Sequence, residues 1–123
     1  MSEVDRLESQ IQVLEKEVTR ISTDIDMKQK QAADSISRAE MNMNQAKKFD
    51  DDVKVSSFEQ EMTHIRSTSE SETNSMQRQL EGKKSELQQC KQKLQSEIQN
   101  QRTLKKRHAI AAAQLLTDPS LDK

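Results

Sequence analysis

Seven large aliphatic residues, Val4, Leu7, Ile11, Leu14, Val18, Ile21 and Ile25, follow one another at steps of three and four. No other feature constrains this chain as much. On an α-helix that spacing gathers them into one narrow stripe, and the residues between them are mostly polar or charged. A stripe so narrow has to be covered by another helix. The stretch therefore reads as one strand of a coiled coil, with Val4 at heptad position a and Leu7 at d. Ser2 is placed to cap its start, and Glu3 and Asp5 in the first turn complement the helix dipole.

The same frame continues past Ile25 with weaker content. Positions a become Ala32, Ala39, Ala46 and Val53, and positions d become Lys28, Ser35, Asn42 and Phe49. Small residues let two backbones approach but bury little area, so this middle is expected to be the softer part. Met27, Met41 and Met43 beside the seam read as flexible gap-fillers.

A second seam begins at Leu80. With Leu80 at a, the a sites are Leu80, Leu87, Leu94, Gln101, His108 and Leu115, and the d sites are Lys83, Cys90, Glu97, Leu104 and Ala111. Several of these are polar, and Gly82 costs about 1 kcal/mol of helix propensity. Pro119 disfavours helix at Asp118 and marks an end to the pattern.

Composition narrows the alternatives. With 31% hydrophobic and 33% charged residues, two Phe and no Trp or Tyr, the chain lacks the bulk for a spherical core. One Gly and one Pro leave little turn chemistry for a sheet protein. The expected fold is all-α: an elongated coiled coil of two long antiparallel helices, as a helical hairpin or an antiparallel dimer. The alternative is a continuous parallel coiled-coil rod. Residues 1–123 read as a single coiled-coil unit, with helices over about 3–48 and 57–116, a tip over 50–57 and a polar tail over 117–123.

Flanking charges set the expected direction. Around the first seam, positions e and g carry Glu3, Glu8, Glu15, Glu17 and Asp24, with no Lys or Arg. Around the second they carry Lys84, Lys91, Lys93, Lys105 and Arg107, with Glu86 the exception. A parallel homodimer would set acid against acid, whereas antiparallel pairing sets acid against base. In such a pair the residue numbers of each layer sum to a constant. A sum of 108 places Val4 on Leu104, Leu14 on Leu94, Val18 on Cys90 and Ile21 on Leu87. It pairs Glu3 with Arg107, Glu15 with Lys91 and Glu17 with Lys93, and reverses the chain near residue 54. Registers shifted by a heptad remain open. Ser56 with Glu59 forms a capping box for a second helix near that point. The stretch from Ser67 to Ser75 is a rival break.

Candidate chemistry is sparse. A net charge of −1 gives no bulk attraction to nucleic acid or anionic membrane, and no apolar run approaches the roughly 20 residues of a membrane span. The start lacks a signal-peptide pattern, and a lone Cys90 excludes an internal disulfide framework, so an intracellular, cytoplasmic location is expected, with nuclear or cytoskeletal as alternatives. Neither His64, His108 nor Cys90 has further metal ligands at usable spacing, and the Asp50–Asp52 run lacks the calcium-loop pattern. No cofactor and no small-molecule substrate are implied. At its d position Cys90 reads as a small core hydrophobe. Phe49 and Phe58, the only aromatic residues, straddle the expected tip and are candidate partner contacts. Arg102, Lys105, Lys106, Arg107 and His108 form a basic cluster suited to acidic partners or phosphates. No aromatic residues are interleaved for base stacking, which argues against single-stranded nucleic acid. Ile110 and Leu115, in the Ala-rich turn that follows, read as a surface for another protein.

These features favour a non-enzymatic structural or assembly protein, a coiled-coil scaffold, spacer or tether that binds itself or another helical protein. A helical-hairpin chaperone or secretion-apparatus accessory acting through an apolar tip is the second reading. Weak nucleic-acid binding through the basic cluster is the third.

Overall fold

The structure, a computed structural model, describes residues 2–117. They form an all-α helical hairpin of two helices, α1 (Glu3–Lys48) and α2 (Asp52–Thr117), and the described residues contain no strand. The expected tail beyond Thr117 lies outside the described residues. A rod of one unbroken helix is excluded, because the chain leaves α1 after Lys48 and re-enters a helix at Asp52.

The start of α1 follows from its sequence. The Ser2 hydroxyl accepts a hydrogen bond from the Asp5 backbone N–H at 3.1 Å, which satisfies one of the free donors of the first turn. Its end is a Schellman motif. The Asp51 N–H donates to the Ala46 carbonyl at 3.1 Å and the Asp50 N–H donates to the Lys47 carbonyl at 3.2 Å. That closure requires a left-handed residue after the helix, and Asp50 takes the role with φ of 50°.

The second helix starts at once. The Asp51 side chain caps it, accepting from the Lys54 N–H at 3.2 Å. The expected break over residues 50–57, with Ser56 as cap, is therefore too long: the chain turns within Phe49–Asp51 and Ser56 lies inside α2. The run of Asp that lowers helix propensity also supplies a strong N-cap, and the cap prevails. The rival break from Ser67 to Ser75 is continuous helix. There the Thr73 hydroxyl donates to the Ser69 carbonyl at 2.6 Å, so a polar side chain is satisfied without leaving the helix.

The described residues group into two compact units, Lys16–Lys84, and 2–15 with 85–117. In the first, Ile21, Ile25 and Leu80 form a buried cluster with Val18 and Met76 against it. Lys28, at a d position, reaches Glu72 at 2.6 Å, and Lys83, also at d, reaches Glu17 at 3.1 Å. Each of these two seam lysines is thus answered by an acid on the opposite helix. Nearer the turn Ala39, Ala46 and Met62 are buried. In the second unit Ile11, Leu14 and Cys90 form the cluster, with Leu87 and Leu94 packed on it. Leu7 is the most completely buried side chain, at 2% exposure.

The layering gives the register. Ile11 with Cys90, Leu14 with Leu87, Ile21 with Leu80 and Ile25 with Met76 are layers whose residue numbers sum to 101, one heptad below the expected 108. The early turn is the reason. A reversal centred on Asp50 and Asp51, rather than near residue 54, shifts α2 along α1 by seven residues and keeps every a opposite a d.

Candidate docking surface on α2

The shift in register decides what is left uncovered. Glu3 and Leu7, at the start of α1, face a groove whose α2 side runs from Gln89 to Asn100. α2 continues beyond that point, and from Gln101 to Leu115 every residue is exposed except Thr103, which is half-buried. The expected layer of Val4 on Leu104 does not form: Leu104 is 50% exposed, and Ile110 and Leu115 are 58% and 60% exposed.

Yet the seam does not stop there. Leu104 and Ala111 are its next d positions after Glu97, and Leu115 is its next a position after His108. Lys105 occupies position e and Arg107 position g, flanking the stripe on both sides. Both are exposed, as are Arg102, Lys106 and His108. Residues 98–117 carry four Lys and Arg and no Asp or Glu.

Within the same unit, the covered part of α2 shows how such flanks are used. Lys91, at e, has its ammonium 3.9 Å from the Glu15 carboxylate. Lys93, at g, stands across the groove from Glu3. The Glu3 carboxyl is held below the usual value of 4.5, chiefly by the hydrogen bond it accepts from Arg6, with Lys93 adding a smaller pull and desolvation opposing both. The Arg6 Nε lies 3.0 Å from Glu3 Oε2, and the same contact raises the Arg6 guanidinium. The partners expected for Glu3 and Glu17, Arg107 and Lys93, are thus replaced by Arg6 and Lys83. Glu15 with Lys91 is found as expected.

The other candidate residues are scattered. Phe49 and Val53 at the turn are 77% and 81% exposed. Phe58 is half-buried and shares with Phe49 a shallow cavity of about 330 Å³, closed on its other sides by Asn42, Gln45, Ala46, Asp51 and Lys54. Cys90 is a free, buried thiol at 6% exposure in the cluster with Ile11 and Leu14. Among the described residues no group of three or more His, Cys, Asp or Glu is gathered to hold a metal ion. None of the described helical stretches is long and apolar enough to cross a membrane. The exposure of Val53 was not foreseen, because its a position placed it on the first seam. The turn transfers it to α2 and turns it to solvent. No protein-family model, curated protein or solved structure matches this chain.

Proposed function

We propose that this protein is a non-enzymatic assembly module, a helical hairpin that presents an uncovered helical seam for docking to another protein. The observation that carries the reading is the exposed stretch Gln101–Leu115, where the apolar stripe of α2 runs on past the start of α1. Exposed large aliphatics in a continuing heptad frame are what a coiled-coil contact needs, and single scattered ones would carry no such meaning. The Ala-rich segment from Ala109 to Ala113 favours a stable helix, since Ala has the highest helix propensity. Lys28, Lys83 and Lys91 are engaged in ion pairs between the helices.

Crosslinking in a native extract tests this reading. Lysine-reactive reagents are expected to join Lys105 and Lys106 to one defined polypeptide, and the crosslinks should vanish when Leu104 and Leu115 are both replaced by Ser. Crosslinks unchanged by those substitutions would contradict a seam contact.

A second reading has its own observation, the exposed Phe49 and Val53 at the turn. An apolar tip of that kind suits a hairpin chaperone that touches clients at its end. It predicts that Phe49→Ser with Val53→Ser abolishes suppression of client aggregation while the Leu104 and Leu115 substitutions leave it intact. The reverse pattern would eliminate it.

A further inference from the structure

The uncovered seam also states the chemistry of its partner. We infer that the segment Gln101–Leu115 docks an amphipathic helix of another protein whose apolar stripe is flanked on both sides by Asp or Glu. The inference rests on the assembly reading above and narrows it.

Two observations carry it. The first is continuity with an interface already formed. Leu87, Cys90 and Leu94 pack against Ile11 and Leu14, and Leu104, Ala111 and Leu115 extend that frame onward along the same helix. The second is charge. Lys105 lies two heptads after Lys91, and Arg107 two heptads after Lys93. In the covered part, Lys91 and Lys93 stand beside Glu15 and Glu3 of α1. The uncovered part repeats the cationic flanks with no acid of its own between residues 98 and 117. A helix like α1, aliphatic at a and d with acids at e and g, is therefore the complementary occupant.

A second copy of this chain fits poorly. Two such segments laid antiparallel would set Lys105 and Arg107 against their own counterparts. The copy's acidic seam is already committed, with Leu7, Ile11 and Leu14 buried against its own α2. Nucleic acid would satisfy the cations but leave Leu104 and Leu115 without a role.

The test uses the full chain and synthetic 28-residue heptad peptides, a length of about 40 Å at the helical rise, ample for this segment. One peptide carries Ile at a, Leu at d and Glu at every e and g. A second has Lys at e and g, and a duplex oligonucleotide serves as the third probe. Titration calorimetry is expected to show binding of the Glu-flanked peptide alone. Leu104→Ser and Leu115→Ser should each weaken that binding by about tenfold, the scale of one buried Leu. Lys105→Glu with Arg107→Glu should transfer preference to the Lys-flanked peptide. Circular dichroism melting of each variant keeps loss of folding separate from loss of docking. Equal binding of both peptides, or self-association of the chain with no peptide bound, would overturn the acidic partner and leave the assembly reading standing. Oligonucleotide binding insensitive to Leu104→Ser, with no peptide bound, would overturn both.

Discussion

Asp50 is the residue on which the register depends. Its left-handed backbone closes the Schellman motif, and a side chain with a Cβ meets a steric penalty there that glycine does not. Asp50→Gly is expected to stabilise the fold by about 0.5 kcal/mol, and Asp50→Val to destabilise it by about 1–2 kcal/mol, in urea melts. Opposite signs for these two would show that Asp50 is not left-handed. Glu3 makes a pH-dependent contribution. Its carboxyl is held below 4.5 in the folded chain, so the folded state binds its proton less readily than the unfolded chain does. The stabilisation is present at neutral pH and is lost as pH falls through the range below 4.5. Glu3→Gln should therefore flatten the acid side of a plot of melting temperature against pH, lowering the melting temperature at neutral pH more than in acid. An acid limb identical to that of the unaltered chain would refute this role.

The two helices differ in what a substitution along them should do. Leu14 is 5% exposed in a packed cluster and Leu104 is 50% exposed on the same kind of seam. Leu14→Ala is expected to cost about 2–5 kcal/mol and Leu104→Ala no more than about 0.5 kcal/mol in denaturant melts. Comparable losses would mean that Leu104 is covered within the chain. Gly82 sits inside α2 with open space where a Cβ would stand. Gly82→Ala should raise stability by about 1 kcal/mol, and no gain would mean that the glycine holds a local distortion.

Much of this was legible in the residues. The aliphatic spacing from Val4 to Ile25 and the opposite flanking charges of the two seams imply two antiparallel helices and a buried Cys90. The position of the turn was not legible, because propensity and capping pull Asp50–Asp52 in opposite directions. Asp reads equally well as a helix breaker and as a helix cap, and only the Schellman closure on Asp50 decides between them. That ambiguity of one heptad moved Leu104 from an expected seam layer to the uncovered segment. The same ambiguity hid Val53, whose heptad position is on one helix and whose backbone belongs to the other.

For the molecule as a whole, assembly through the seam requires that α2 run past the start of α1 with stripe still to offer. A register sum of 101 leaves Leu104 and Leu115 uncovered, whereas a sum of 108 would cover Leu104 with Val4. Crosslinking from the native thiol separates the two most directly. Ile11→Cys and Val18→Cys are prepared singly, each beside Cys90, and treated with a short bifunctional thiol reagent at low protein concentration. Rapid linkage within one chain between positions 11 and 90 is expected, read by mass spectrometry of the joined peptides, with little from position 18. Preferential linkage of position 18 to Cys90, or linkage of Cys90 to Cys90 between chains, would contradict the register of 101.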